Sequence, residues 1–183
     1  MPTEKNPVWA ELAQLVPVVS LALPFIVAGK VELARAGGGL LAGALLTIPV
    51  TALVLWRRAV LNPILVGTAV WLWLGAVAFT IPIEPLHAVL VELQGFGIFA
   101  VVLVTGVLAV AFSPQGYIGC RSDDAPFIRR ASLGLLALTV VIVAWSWAFR
   151  TNIRLGGGLP FIVLNVARRA MIQRATSLSS NPG

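Results

Sequence analysis

The sequence predicts an all-α, polytopic transmembrane helical bundle with five full spans plus a short sixth apolar segment. Of its 183 residues, 58% are hydrophobic and 11% are charged, whereas soluble domains carry about 25% charged residues. The mean hydropathy is +0.95. The apolar runs approach the roughly 20 residues that a helix needs to cross a bilayer, and they lack the two-residue alternation of barrel strands. These observations exclude a soluble enzyme and a disordered tail.

Five stretches meet or approach the length of a membrane span. Several are hydrophobic all round, which is typical of helices surrounded by lipid or protein. We expect residues 1–11 to form a cytoplasmic tail, 12–171 a single transmembrane domain and 172–183 a polar C-terminal tail. No small-residue cleavage site follows the first stretch, so it is predicted to stay as an anchor. The predicted spans are Leu12–Gly29, Leu40–Trp56, Leu61–Ile83, Leu93–Phe112 and Ser132–Phe149.

The sixth stretch, Gly156–Ala167, covers only about half of a span. It fits a short crossing, a re-entrant hairpin or an interfacial helix. With six crossings, nine of the 13 Lys and Arg residues lie on one side and four on the other, whereas five crossings split them six against seven. Because Lys and Arg in short loops set the orientation, six crossings with both termini in the cytoplasm are favoured.

Two segments of the chain have similar sequences. Arg35–Leu40 and Arg154–Leu159 both read Arg, a small or apolar residue, three glycines and Leu, and both follow a predicted span. Arg-Arg-Ala occurs at Arg57–Ala59, Arg129–Ala131 and Arg168–Ala170. One interpretation is a weak internal repeat of the parallel kind found in some transporters, with both glycine triplets as turns. The other is coincidence among common membrane residues.

The chemistry available to this chain is limited. A single cysteine, Cys120, excludes a disulfide framework, and a single histidine, His87, excludes a multi-histidine metal site. No nucleotide, zinc or Ser/His/Asp motif is present. The net charge of +6 fits the positive-inside rule and anionic lipid headgroups, so membrane lipids rather than nucleic acid are the expected partner. We therefore predict no cofactor, no metal and no catalytic residue.

Ionisable residues inside a membrane are costly and usually functional, yet the predicted spans from Leu61 onward are uncharged. The candidate polar mouth lies where the fourth span begins and consists of Glu84, His87, Glu92 and Gln94. It would bind a proton, a cation or a headgroup. The alternative is that these residues anchor helix ends at the interface.

The order of features along the chain resembles that of the intracellular septation protein A family of small bacterial inner-membrane proteins. The resemblance covers most of the chain, and it consists of the order and spacing of short features rather than of one diagnostic motif. It implies a non-enzymatic role in envelope maintenance or division, acting through division or wall-synthesis proteins. The matching features are Leu15-Val16-Pro17, Trp56-Arg57-Arg58, Asn62-Pro63, Arg129-Arg130, a Trp-rich fifth span, a Gly-rich turn and Ala167-Arg168-Arg169.

Three functions follow from these observations. The first is a scaffold or accessory factor that contacts other inner-membrane proteins, with Trp71 and Trp73 packing helix interfaces. The second is a small transporter or channel, working as a homo-oligomer, in which Glu92 or Gln94 faces a water-filled path. The third is a membrane enzyme acting on lipids through His87. Small residues expected to serve helix packing are Gly95, Gly97, Gly106 and Gly134.

Overall fold

The computed structural model describes residues 9–10, 12–17, 33–81, 84–120, 124–150, 152 and 154–179, without the side chains of 33–37, 87, 91, 94, 95 and 176–179. These residues are helical or lie in turns, and none of them is in a strand, which confirms the all-α class. A short helical segment at 12–17 precedes the main helices. They are α1 (Leu33–Trp56), α2 (Pro63–Thr80), α3 (Glu84–Phe112), α4 (Ala125–Ala148) and α5 (Leu159–Ser179), with a π-helical turn at Arg154–Gly158.

Four helical stretches in the described part of the chain are long and apolar enough to cross a membrane. They are Gly38–Trp56, Pro63–Thr80, Ala125–Ala148 and Arg154–Ala175, and the apolar part of α3, Phe96–Phe112, is shorter. The fold is thus compatible with a multi-pass membrane protein. Five full spans are not confirmed, because the first predicted span lies mostly outside the described residues.

The last apolar segment is longer than the half-span that the sequence pattern predicts. The π-helical turn runs into α5, and together they give a 22-residue candidate span, Arg154–Ala175. The apolar pattern ends at two adjacent arginines, but the first of them, Arg168, is buried and only 4% exposed. The helix continues past both arginines to Ser179, because arginine is a good helix former.

Only one of the two glycine triplets forms a turn. Gly156–Gly158 lies in the π-helical turn, whereas Gly37–Gly39 lies inside α1. The expectation of two equivalent turns is therefore wrong. Glycine costs a helix only about 1 kcal/mol relative to alanine, and a helix satisfies the backbone groups that lipid cannot.

The helices pack in chain order, each against the next, and α2 and α3 share the largest interface. Two glycines permit their close approach. A β-carbon at Gly67 would lie 2.8 Å from Cα of Val102, and one at Gly97 would overlap the Trp71 ring. Trp71 is buried and the Trp73 indole donates to Thr47 at 2.9 Å, so both tryptophans pack at helix interfaces, as predicted.

Local sequence explains where α2 and α4 begin. The Asn62 side chain accepts a hydrogen bond from the Ile64 amide at 3.1 Å, and Pro63 follows at the first helical position. Asp124 likewise accepts from the Phe127 amide at 2.9 Å. Asn and Asp are favoured caps because their side chains satisfy otherwise unpaired amides, and proline fits the first turn.

Candidate functional site

The candidate polar mouth lies entirely in the first three turns of α3. The Glu84 and Glu92 side chains are exposed, and the side chains of His87 and Gln94 lie outside the described ones. Glu84 is in the first turn, where the helix dipole favours a carboxylate. This position fits the alternative interpretation, in which Glu84 anchors the end of a helix at the membrane interface. The mouth itself stays a prediction.

A turn at residues 113–120 combines burial with hydrogen bonds to two other helices. It connects α3 to α4, and residues 116–120 are all buried. Gly116 and Gly119 have φ of 59° and 60°, a left-handed conformation that glycine adopts without steric cost. Irregular backbone inside a protein needs hydrogen-bond partners from the surrounding structure. Those partners come from α4 and α5.

Two hydroxyl side chains of α4 bond to this turn. Ser132 Oγ accepts from the Tyr117 amide at 2.9 Å and from the Ile118 amide at 3.4 Å. The Tyr117 hydroxyl lies 3.1 Å from Thr139 Oγ1. Thr139 donates its own proton to the Leu135 carbonyl at 2.8 Å, so Tyr117 is the donor to Thr139. The chain thereby replaces the water that these buried groups have lost.

Arg168 joins α5 to the same turn. Its Nε donates to the Ile118 carbonyl at 2.9 Å. The turn also approaches the segment that connects α1 to α2, because a β-carbon at Gly119 would lie 3.1 Å from the Leu61 carbonyl oxygen and 3.5 Å from Arg168 Nη2. The turn is therefore held between α5 and the segment that connects α1 to α2.

Gln14 extends this arrangement to the N-terminal helical segment. Its amide nitrogen donates to the Ala10 carbonyl at 2.9 Å and to the Val60 carbonyl at 3.4 Å. Its amide oxygen accepts from the Asn62 backbone amide at 2.8 Å. Gln14 and Asn62 are both buried. Segments 46 to 48 residues apart in sequence thus meet through one side chain.

The electrostatics of the turn keep its titratable groups neutral. Burial raises the pKa of Tyr117 to about 12, although the Thr139 hydrogen bond and the Arg168 charge act in the opposite direction. Burial also raises the pKa of the Cys120 thiol, again opposed by Arg168. A thiol must ionise to act as a nucleophile. The arrangement therefore stabilises structure and leaves both groups in the form least suited to covalent chemistry.

An apolar cleft of about 550 Å³ lies between α1 and α2. Its described polar lining residues are Gln14, Thr47 and Thr51. Gln14 is engaged as above, and Thr47 donates to the Ala44 carbonyl at 2.6 Å. The cleft walls suit hydrocarbon rather than a hydrated solute. In the part of the chain that the structure describes, no three His, Cys, Asp or Glu side chains could jointly hold a metal ion.

Sequence reasoning missed this buried turn. Arg168 counts in the sequence as a surface charge, and Asn165, which could bond across helices, donates instead to Phe161 of its own helix at 2.9 Å. The available signal was Gly116-Tyr117-Ile118-Gly119, an aromatic residue between two glycines in a loop.

Comparison with known proteins adds nothing to this geometry, since no protein-family model, curated protein or solved structure matches the chain.

Proposed function

We propose that the chain is a non-enzymatic, multi-pass protein of the bacterial inner membrane, a scaffold or accessory factor that acts through helix contacts with other membrane proteins. The observation that carries this proposal is that polar side chains within the apolar helices form hydrogen bonds to the backbone of their own helix. The hydroxyls of Thr68, Thr105 and Thr139 and the amide of Asn165 all donate to carbonyls four residues earlier. Protons used in this way are not available to a solute, which favours a structural role for these four side chains.

The outward faces of the spans are apolar and extensive. In the candidate span Gly38–Trp56 only 28% of the residues of its most apolar stretch are buried within the chain, and in Arg154–Ala175 only 22% are. Because lipid is as apolar as these faces, helices associate in a membrane by close packing rather than by hydrophobicity. A partner helix therefore needs a surface that permits close approach.

Helix α4 offers such a surface. Its buried face contacts the bundle, and the opposite face carries four exposed small residues: Gly134, Ala137, Ala144 and Ala148. A β-carbon at Gly134 would meet only the Met171 Cε, at 3.7 Å. By contrast, Gly97 and Gly106 pack internally, against Trp71 and Tyr117, so they are not free for partners. We infer that α4 is the helix that binds other membrane proteins.

The resemblance to the septation protein A family suggests division or wall-synthesis proteins as those partners. The proposed orientation has both termini in the cytoplasm. Its support is that Gln14 and Arg168 bring the N-terminal segment and α5 to the same end of the bundle. That end carries most of the described arginines, and arginine-rich ends face the cytoplasm.

The test is photo-crosslinking in native membranes with a reactive amino acid at Ala137 or Ala144, and at Val104 of α3 as the control. Val104 is 59% exposed, so it reports contacts that exposure alone produces. We expect the α4 positions, and not Val104, to crosslink to division or wall-synthesis proteins. Equal crosslinking at all three positions would contradict the assignment of α4.

A second variant separates this proposal from a transporter. Glu92→Gln removes the exposed carboxylate of the candidate mouth, which a transporter or channel would need in its path. The scaffold proposal predicts unchanged partner crosslinking and no measurable flux from reconstituted vesicles with or without the substitution. A flux that disappears in Glu92→Gln would overturn the scaffold proposal in favour of transport.

A further inference from the structure

One end of the bundle carries a concentration of exposed arginines. They are Arg57, Arg58, Arg129, Arg130, Arg169 and Arg174, and all six are exposed. Among the described residues, Asp124 is the acid at this end, and it caps α4. At the opposite end the described exposed charges are Arg150, Arg154 and Glu84, with Glu92 two turns further into α3.

The buried turn explains why these arginines share one end. The segment that follows Arg57 and Arg58 reaches the turn where Leu61 meets Gly119. The first turns of α4 reach it through Ser132, shortly after Arg129 and Arg130. Helix α5 reaches it through Arg168, which leaves Arg169 outside. Three arginine-bearing segments therefore surround the turn.

The chemistry of this end fits a phosphate with an attached hydrocarbon. A guanidinium stays charged and presents donors that match phosphate oxygens. The Arg57 guanidinium lies 5.7 Å from the Trp56 ring centroid, and Trp56 is 79% exposed, as befits an aromatic residue at a membrane interface. Directly before it, Leu55 is 58% exposed. Cationic and apolar surface thus adjoin, as a phospholipid requires and a free phosphate does not.

We propose that the arginine-bearing end is a binding surface for anionic phospholipids, whose headgroup phosphates contact the Arg57–Arg58 and Arg129–Arg130 pairs and Arg169. This surface does not depend on the scaffold function. It would bind the leaflet that carries anionic lipid and hold the buried turn at the level of the headgroups.

The test is native mass spectrometry of the purified full chain in mild detergent, titrated with phosphatidylglycerol or with phosphatidylcholine of the same acyl chains. We expect preferential retention of phosphatidylglycerol. Each arginine near an anionic lipid surface adds to the binding affinity, and the loss of one weakens binding about fivefold. Arg57→Gln/Arg58→Gln and Arg129→Gln/Arg130→Gln should therefore each weaken it by tenfold or more. Arg57→Lys/Arg58→Lys should keep most of the preference.

The matched control is Arg150→Gln/Arg154→Gln, which removes two exposed arginines from the opposite end. We expect this variant to retain phosphatidylglycerol as the unmodified protein does. Equal loss in the control and the test variants would overturn the proposal, as would equal binding of the two lipids. Full displacement of the lipid by millimolar inorganic phosphate would show recognition of phosphate alone and would also refute a phospholipid surface. All variants change exposed residues, and circular dichroism with gel filtration confirms that each is folded.

Discussion

Replacement of Gly67 by alanine tests whether the close approach of α2 and α3 organises the bundle. A β-carbon there would lie 2.8 Å from Val102 Cα and 3.1 Å from Thr105 Oγ1. Carbon atoms in favourable contact are about 3.5–4.0 Å apart. The obstacle is backbone, and Val102 is fully buried, so no side-chain rotation can relieve the overlap. The two helices must separate.

The magnitude follows from two opposing effects. Overpacking of a well-packed core costs about 1–3 kcal/mol, and alanine regains up to about 1 kcal/mol of helix propensity relative to glycine. We expect Gly67→Ala to lower the free energy of unfolding by up to about 2 kcal/mol, and by about 1–3 kcal/mol relative to a glycine-to-alanine change that meets no obstacle. Gly38→Ala in α1 is the matched control, because a β-carbon there meets nothing within 4 Å. The control should be neutral or slightly stabilising.

The assay is equilibrium unfolding in mixed micelles, followed by the fluorescence of the six tryptophans. A second pair of variants tests the mechanism. Gly97→Ala collides with the Trp71 side chain rather than with backbone, so Trp71→Leu should restore part of its stability, while Val102→Ala should not restore Gly67→Ala. If Gly67→Ala proves as stable as Gly38→Ala, the reasoning about helix separation is wrong.

Three further predictions concern the buried turn. Arg168→Met leaves the buried Ile118 carbonyl without its donor and should cost about 1–3 kcal/mol, whereas Arg169→Met, on the exposed side of α5, should stay within about 0.5 kcal/mol, both measured by the same unfolding assay. The single tyrosine, Tyr117, has a pKa of about 12 in the folded protein, so its tyrosinate absorbance at 295 nm should reach half of its full value only near pH 12. Because this pKa lies above the unfolded value, the contribution of Tyr117 to stability is present below pH 10 and is lost as the pH rises to 12. The single cysteine, Cys120, is buried and should react with a maleimide only after unfolding, as mass spectrometry would show; rapid labelling of the folded protein would contradict its placement.

The all-helical class, with helices long and apolar enough to cross a membrane, could be predicted because it depends on composition and run length alone. The ends of α2 could be placed closely for a different reason. Pro63 lies after an Asn that caps the helix, and this local signal needs no tertiary context. The start of α3 at Glu84 could not be placed, because Glu84, His87 and Glu92 interrupt its first turns and separate them from the apolar run that begins at Leu93.

The buried turn could not be predicted because the contacts that hold it against the other helices join residues that are distant in sequence. Arg168 and Ile118 are 50 positions apart, and nothing in either local pattern indicates the other. Sequence rules assign an arginine next to an arginine to the surface, since a buried charge is costly without partners. The Ile118 carbonyl supplies such a partner, and only the folded chain brings it within reach.

The burial of Arg168 also bears on the orientation of the chain. The sequence count of nine Lys and Arg residues against four includes Arg168 with the surface charges. Because its guanidinium bonds inside the protein, it contributes little to the interaction with headgroups, and leaving it out gives eight Lys and Arg residues against the same four. The bias therefore rests on two exposed pairs, Arg57–Arg58 directly after α1 and Arg129–Arg130 in the first turns of α4, because Lys and Arg close to the ends of spans set the orientation. Removing both pairs lowers eight to four and leaves no bias at all. The same four arginines should thus govern both the orientation of the chain and its binding of anionic lipid, so a variant lacking all four should lose both together, whereas a variant lacking only Arg168 should lose neither.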